Sequence, residues 1–184
     1  MVLTKTPICN FGEKTKSFEL KGIDGKIHKL EDHVGKNGLL IMFICNHCPY
    51  VKAVIRDIVE DCKNLKKEGV NSIAIMSNDT KEYPEDSFEN MKIFSKKFNF
   101  SFPYLIDETQ EIAKEYGAVC TPDFFGYNSK LELQYRGRIR ELKDLKPINN
   151  GESDLKAAMT MVAKTNKGPA QQIPSMGCNI KWFN

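Results

Sequence analysis

The 184-residue chain is predicted to form an α/β domain with a mixed central β-sheet flanked by helices. Three observations lead to this fold class. Apolar residues follow strand and helix periods in alternation, which favours parallel strands in the first half of the chain. Two adjacent strand patterns follow and indicate antiparallel edge strands. The composition, with 41% hydrophobic and 28% charged residues, is that of an ordinary globular domain large enough to bury a core.

The first half of the chain contains a hairpin, two strands and a helix. Residues 18–30 alternate apolar and polar around Asp24-Gly25, a dipeptide typical of tight hairpin turns. Leu39 to Ile44 is a continuous apolar run, as expected for a strand buried on both faces. Helical spacing then continues to Gly69, which ends the helix, and residues 70–76 form a second buried strand. The apolar helix positions are Val51, Val54, Ile55, Ile58, Val59, Cys62 and Leu65.

The second half is predicted from shorter patterns and from turn and capping residues. Thr109 and Ser153 are helix caps, Gly117 ends a helix, and Asn128-Ser129 forms a turn between two strands. The tail from Gly168 to Asn184 has no clear period. The predicted elements are a helix over 84–98, a strand at 104–106, a helix at 109–116, strands at 124–127 and 131–138, and a helix over 154–164.

Charge and hydropathy argue against nucleic-acid and membrane partners. The net charge of +3 is a weak bias, and the longest apolar run, 38–45, is less than half a membrane span. The N-terminus has no apolar signal region, so we expect a cytoplasmic, reducing location where the six cysteines are thiols or ligands. We expect one domain over 1–184, with a hairpin extension at 1–35 and a tail at 168–184, as a monomer or homodimer.

The sharpest local feature is Cys45-Asn46-His47-Cys48-Pro49, where the apolar strand ends and the amphipathic helix begins. Two thiols at this spacing in a helical first turn can close a small disulfide ring. The free N–H groups and the helix dipole favour a thiolate at the first Cys, and a protonated His47 lowers the thiol pKa further. We therefore expect Cys45 to be the exposed nucleophile and Cys48 to be the resolving thiol.

Two other interpretations of this motif stay open. A C-x-x-C can be half of a zinc site, although structural zinc prefers four paired ligands and the remaining sulfurs occur singly. The two cysteines could also be core residues without a reaction. The position between a strand and a helix favours redox chemistry over both. The scattered sulfurs are Cys9, Cys62, Cys120 and Cys178.

Three segments resemble the thioredoxin-fold redoxins, the group that borders thioredoxins, TlpA/ResA-like thiol-disulfide oxidoreductases and AhpC/TSA peroxiredoxins. With the element order, the resemblance covers nearly the whole chain and implies a thioredoxin-like fold. Its motifs are more specific for the fold than for the reaction. The segments are FICNHCPYVKA at 43–53, YGAVCTPDFF at 116–125 with YRGRI at 135–139, and PSMGCNIKW at 174–182.

The resemblance also implies further site residues. Thr121-Pro122 matches the cis-proline loop that faces the C-x-x-C in this fold, where it would dock the backbone of an extended partner. Cys120 precedes Pro122 by two positions, and it is a candidate for an additional redox thiol, as is Cys178 in the tail. We expect Cys62 to be a core residue.

The leading hypothesis is a thiol-disulfide oxidoreductase that acts on protein or small-molecule disulfides and thiols, with no bound cofactor or metal. Asn46, His47 and Pro49 would shape its active site. A competing hypothesis, from a different class, is a metal-binding module with Cys45, His47 and Cys48 as ligands and Cys120 as a further candidate.

The remaining hypothesis is a thiol-dependent peroxidase that consumes peroxides, an antioxidant function. Cys48 would be oxidised and Cys45 would resolve it, with Arg136 or Arg138 in the arginine role of the peroxiredoxin pattern. Cys45 stands where the pattern P-x-x-x-T-x-x-C has its Thr, so the hydroxyl is missing. This departure counts against an efficient peroxidase.

Overall fold

The structure is a computed structural model that describes residues 2–148 and 152–183. The helices are α1 (Pro49–Lys67), α2 (Phe88–Phe98), α3 (Glu111–Glu115) and α4 (Asp154–Thr165). The strands are β1 (Leu3–Lys5), β2 (Glu19–Gly22), β3 (Ile27–Lys29), β4 (Gly38–Phe43), β5 (Val70–Met76), β6 (Tyr104–Ile106), β7 (Cys120–Thr121), β8 (Asp123–Asn128), β9 (Leu133–Tyr135), β10 (Leu142–Lys143), β11 (Lys146–Pro147) and β12 (Met176–Asn179). Within these residues, none of the helices combines the length and apolar character needed to cross a bilayer.

The main sheet is mixed, as the sequence predicted. One half has the order β3-β2-β6-β5 and the other the order β4-β8-β9. They meet where the Ile44 N–H donates to the Ile75 carbonyl at 3.0 Å. β5 and β6 are parallel, whereas β2–β3, β4–β8 and β8–β9 are antiparallel. The predicted first hairpin and the antiparallel strands of the second half are therefore confirmed.

Strand β4 lies in the middle of the core and carries the C-x-x-C loop at its end. Every residue from Gly38 to Phe43 is buried. Leu40 and Met42 pack into a cluster with the apolar face of α1, and Leu39 and Ile41 pack into a second cluster on the opposite face of the sheet. The prediction of a strand buried on both faces is confirmed. The double burial fixes the end of β4, and with it the loop that starts two residues later.

The structure differs from the prediction in three places. The helix predicted over 84–98 is divided, because Ser87 is extended and caps α2 by accepting from the Asn90 N–H at 3.4 Å. Pro84–Asp86 forms a separate 3-10 turn. Helix α3 begins at Glu111, after Gln110 in the left-handed region, and Thr109 is not its cap.

The third difference concerns the tail. It contains β12, which lies between β1 and β7 in a small antiparallel sheet. The sequence showed no clear period in this segment and predicted no strand there, and β1 was not predicted either. Both strands are only three or four residues long, and their partners are distant in sequence, so neither produces a visible period.

Candidate active site

The C-x-x-C loop places its two thiols differently from the sequence expectation. Helix α1 begins at Pro49, and Cys48 is its extended N-cap residue. Cys45 lies in the preceding loop, outside the first helical turn. The cause is Pro49, which is well suited to the first helical position and forces the residue before it out of the helix. Cys45 is 1% exposed and Cys48 is 0% exposed, so the expectation of an exposed Cys45 is wrong.

The Cys48 sulfur is surrounded by hydrogen-bonding groups that favour its ionisation. Hydrogen bonds lower the pKa of Cys48 to about 5, the largest effect coming from the Cys45 thiol, with further contributions from Cys178, the Val51 backbone and Thr121. Burial acts in the opposite direction but is outweighed. The Cys178 sulfur lies 2.8 Å from the Cys48 sulfur. These contacts therefore favour the thiolate form of Cys48.

Cys45 has the opposite ionisation. Burial raises the pKa of Cys45 well above its ordinary value, and its hydrogen bond to Cys48 and the charge of Asp86 add to this. The Thr121 hydroxyl lies 3.3 Å from its sulfur and acts weakly in the other direction. Cys45 is thus a neutral thiol that donates to the Cys48 thiolate. The directions of the two pKa shifts are opposite to those expected from the sequence, which placed the thiolate at Cys45.

His47 and Asp86 form a pair beside the thiols. The Asp86 carboxylate, 0% exposed, lies 2.6 Å from His47 Nδ1 and raises the pKa of His47. It also accepts from the backbone N–H groups of Asn46 at 2.7 Å and His47 at 3.2 Å, and from Asn78 Nδ2 at 2.8 Å. The imidazole stacks on the Tyr83 ring with centroids 5.4 Å apart. The loop is therefore held in place by a buried carboxylate.

Sequence reasoning did not find Asp86, Asn78 or Tyr83. One signal was available, since the polar run Ser77-Asn78-Asp79 follows the buried strand β5 directly. The ends of β4 and β5 lie next to each other, so polar residues after both strands share one edge of the sheet. Asp86 was not recognised as a site residue because it was assigned to a helix that begins two residues later.

Asn46 is a structural member of the site. Its amide oxygen accepts from the Tyr104 hydroxyl at 3.0 Å, and its amide nitrogen donates to the Glu85 carbonyl at 3.1 Å. These contacts join the loop to β6 and to the turn that carries Asp86. Asn46 is buried, and it shapes the loop from inside the protein.

Thr121 and Pro122 do lie at the thiols, and the peptide bond between them is cis. When protonated, Cys48 donates to the Thr121 carbonyl at 3.2 Å. However, β12 already pairs with β7, with Cys178 opposite Thr121 and Asn179 opposite Cys120. The expectation that a partner backbone docks at Thr121 is wrong for this conformation, because a strand of the same chain occupies that edge.

The other cysteines have different environments. Cys178 belongs to the site, as described above. Cys120 is buried on β7, its sulfur 3.8 Å from the Pro122 carbonyl, and burial raises its pKa. Cys62 is a core residue as expected, 4.0 Å from the Met42 sulfur. Cys9 is half-buried, and burial raises its pKa to about 11.

Both candidate arginines are bound to carboxylates. Arg136 pairs with the buried Asp123 at 2.9 Å and donates to the Gly117 carbonyl at 2.7 Å. Arg138 pairs with Asp154 at 2.7 Å. The expectation that one of them serves as the arginine of a peroxiredoxin site has no support in these contacts, because each guanidinium group already has an anionic partner.

Within residues 2–148 and 152–183, one group of side chains could hold a metal ion: Cys45, His47 and Asp86, whose ligand atoms lie within 4.8 Å of one another. Cys48 and Cys120, which the metal hypothesis also named, are not members of this group. A metal bound by both His47 Nδ1 and Asp86 would replace the 2.6 Å hydrogen bond between them. The donor set therefore serves the loop equally well without an ion.

In the mixed sheet, a buried strand leads through the C-x-x-C loop into a helix, and Thr121-Pro122 lies opposite this loop. This arrangement defines a thioredoxin-like fold. A thiol:disulfide interchange protein of the thioredoxin family from Chlorobium tepidum has the same fold, with a TM-score of 0.60 at 19% identity over 83% of this chain and 94% of that one. The AhpC/TSA family model matches residues 11–142. The chain belongs to the AhpC/TSA family.

Three further proteins are similar to this chain. A conserved protein from Geobacillus kaustophilus is 40% identical, with a TM-score of 0.91 over 100% of this chain and 97% of its own. The thiol-disulfide oxidoreductase ResA of Bacillus thuringiensis is 28% identical over 66% of each chain. The chloroplastic peroxiredoxin Q of Populus jackii is 28% identical over 64% of this chain. The chain spans 66% of the length of ResA and 50% of that of peroxiredoxin Q.

Proposed function

We propose that the protein is a thiol-disulfide oxidoreductase in which Cys48 is the attacking thiolate and Cys45 is the thiol that resolves the intermediate. The observation that carries this proposal is the position of the Cys48 sulfur at the start of α1, 2.8 Å from the Cys178 sulfur and 3.2 Å from the Thr121 carbonyl, where hydrogen bonds from neighbouring groups lower its pKa. Thiolates, not thiols, attack disulfides. The match to ResA supports the reaction class.

The reaction would proceed in two exchanges. The Cys48 thiolate attacks one sulfur of a disulfide, forms a mixed disulfide and releases the other sulfur as a thiolate. The Cys45 thiol then gives up its proton and attacks the Cys48 sulfur. The bond between Cys48 and the substrate breaks, a Cys45–Cys48 disulfide forms, and the substrate leaves as its second thiol. Two electrons pass from the dithiol to the substrate.

His47 and Asp86 would support the first exchange. The Cys48 charge and the Asp86 carboxylate both favour a protonated His47, and an imidazolium next to the sulfur stabilises the thiolate in return. Asp86 also fixes the backbone of Asn46 and His47, which keeps Cys45 within reach of Cys48. Both residues are positioning residues in this proposal.

Burial of the sulfurs favours a small disulfide over a large one. Cys45, Cys48 and Cys178 are all buried, and β12 occupies the edge of β7. A cavity of about 300 Å³ lies against this strand, with Tyr50, Pro122 and Met176 in its wall. A small-molecule disulfide could approach from this cavity with only a local opening.

The test is a single-turnover reaction of the reduced protein with 2-hydroxyethyl disulfide, followed by intact mass and peptide mapping. We expect Cys48→Ser to abolish adduct formation at the site. Cys45→Ser should still add the substrate to Cys48, and Cys62→Ser, a buried thiol outside the site, should react as the wild type. An adduct on Cys45 in the Cys48→Ser variant would contradict the proposal and restore the order expected from the sequence.

A thiol-dependent peroxidase is a second candidate, favoured by the same closed geometry because hydrogen peroxide is smaller than any organic disulfide. The Cys48 thiolate would be oxidised to a sulfenic acid as the peroxide becomes an alcohol or water. Cys45 would then form the disulfide and release water, and an external thiol would reduce it. The match to peroxiredoxin Q supports it, whereas the bound arginines and the absent Thr oppose it.

Stopped-flow mixing with hydrogen peroxide separates the two candidates. Rapid oxidation of Cys48 that starts normally in Cys45→Ser would favour the peroxidase. Slow oxidation beside rapid exchange with 2-hydroxyethyl disulfide would favour the oxidoreductase.

A further inference from the structure

The third sulfur of the site belongs to the tail. Cys178 follows Cys48 by 130 residues, yet the two sulfurs are 2.8 Å apart. Cys178 is 2% exposed, so its thiol is enclosed with Cys48 and does not face solvent. The Tyr50 backbone also hydrogen-bonds its sulfur. Cys48 is therefore placed between two thiols, Cys45 in its own loop and Cys178 on β12.

Strand β12 is fixed firmly on both of its edges. Leu3 and Lys5 of β1 pair with one edge, and Thr121 of β7 pairs with the other. Beyond the strand, the Lys181 N–H donates to Asn78 Oδ1 at 2.9 Å, and the Lys181 carbonyl accepts from the Asp79 N–H at 2.8 Å. The tail is thus attached to the same polar edge that holds Asp86, and the position of Cys178 follows from these contacts.

Gly177 shows how closely β12 approaches β7. A Cβ atom at this position would collide with the backbone carbonyl of Thr121 and lie 3.1 Å from the Pro122 nitrogen. Because the colliding atoms are backbone atoms, no side-chain movement could relieve the contact. Glycine in a strand commonly marks such an approach of two backbones. The sequence at 177 therefore suits a strand placed directly against the Cys48 site.

We propose that Cys178 is a second resolving thiol, and that β12 holds it on Cys48 in the place an extended partner peptide would otherwise take. The proposal rests on the proposed function, since it needs Cys48 to form a mixed disulfide. The Cys178 thiol then loses its proton and attacks the Cys48 sulfur. A Cys48–Cys178 disulfide forms, the bond to the substrate breaks, and the substrate leaves as a thiol. No other oxidant or reductant is required.

The charge of Cys48 explains why Cys178 would act only at the second step. Burial raises the pKa of Cys178 to about 12, and the hydrogen bond and charge of the Cys48 thiolate contribute to this. When Cys48 carries the substrate, its negative charge is gone and these contributions disappear. Cys178 then becomes more acidic at the stage at which its thiolate is needed, while in the resting protein it serves as a hydrogen-bond donor.

The experiment compares Cys45→Ser with Cys45→Ser/Cys178→Ser after reaction with 2-hydroxyethyl disulfide. In Cys45→Ser, we expect the adduct on Cys48 to be lost and a Cys48–Cys178 disulfide to appear in the peptide map. In the double variant, the adduct should persist. Cys45→Ser/Cys120→Ser is the matched control, because Cys120 is a buried thiol on the neighbouring strand, and it should behave as Cys45→Ser.

A persistent adduct in Cys45→Ser would overturn the role of Cys178 and leave the proposed function intact. Failure of the proposed function would differ, because Cys48 would then acquire no adduct in any of these variants. Cys45→Ser/Gly177→Ala tests the strand while keeping the thiol. We expect Cys48–Cys178 formation to slow about 100-fold, since ångström-scale misplacement of reacting groups costs about that factor. An unchanged rate would exclude β12 as the element that positions Cys178.

Discussion

Replacing Cys45 by Ala should raise the pKa of Cys48, because the Cys45 thiol is the strongest of the donors that stabilise the thiolate. Cys45→Ser is the matched variant, since its hydroxyl can donate in place of the thiol. Both variants remove the same sulfur, so a difference between them isolates the hydrogen bond. The other donors, Cys178, Val51 and Thr121, stay in place in both.

The size of the effect follows from the energy of one hydrogen bond to a charged group. Such a bond contributes about 1.5–3 kcal/mol, and one pKa unit corresponds to about 1.4 kcal/mol. Cys45→Ala should therefore raise the pKa of Cys48 from about 5 to about 6–7. At pH 5.5 the thiolate fraction would fall from roughly three quarters to roughly a quarter or less.

The assay is the pH dependence of iodoacetamide alkylation, with Cys48 followed by peptide mapping. The alkylation rate of each variant is divided by the rate that the same variant reaches at high pH. Differences in reagent access to the buried sulfur therefore cancel. Ultraviolet absorbance at about 240 nm, where thiolates absorb and thiols do not, provides a second measurement of the pKa. An unchanged midpoint in Cys45→Ala, or an equal shift in Cys45→Ser, would refute the hydrogen-bond explanation.

Three further predictions concern the buried charges. Asp86→Ala should lower the free energy of unfolding by about 3–5 kcal/mol, because it removes the partner of His47 and of two backbone N–H groups; a loss below about 1 kcal/mol in urea unfolding would contradict this. Because the pKa of His47 is raised in the folded protein, its pair with Asp86 contributes fully to the free energy of unfolding below about pH 6.5, the ordinary histidine pKa. This contribution is lost as the pH rises through the higher pKa of the folded state, and Asp86→Asn should remove the pH dependence. Arg136→Met should lower the free energy of unfolding by about 3–5 kcal/mol, because Asp123 is left buried without its partner. Arg136→Met/Asp123→Leu should recover most of this stability in the same urea measurement. Equal losses of stability in the two variants would argue against the ion pair.

The sequence predicted the elements whose burial produces a long, regular period. Strand β4 is apolar at every position because both of its faces are covered, and α1 shows a helical stripe because one face packs on the sheet. The division of the helix predicted over 84–98 was missed because Ser87 can cap a helix without disturbing the apolar stripe. Strand β12 was missed because pairing of distant short strands depends on the tertiary structure.

The site was predicted in its members but not in its arrangement. Cys45, His47, Cys48 and Thr121 do come together, as the motif and the resemblance indicated. The pKa shifts of the two thiols run in the opposite order to the one expected, and Pro49 was the signal for this difference. A proline at the first helical position makes the residue before it the N-cap, which brings the Cys48 sulfur, and not that of Cys45, to the Val51 backbone at the start of the helix. Asp86 could not be predicted, because its role depends on how a turn folds against a loop distant in sequence.

The distance in sequence between the two halves of the thiol cluster has a consequence for synthesis of the chain. Cys178 leaves the ribosome 130 residues after Cys48. At about 5–20 residues per second, this interval lasts roughly 7 to 26 s. Strand β1, although made first, must also wait for β12 before it can pair. During that time the nascent C-x-x-C loop lacks the strand that buries it, and its thiols are open to any oxidant in the compartment of synthesis. A chain whose translation stops before Cys178 would keep them open permanently.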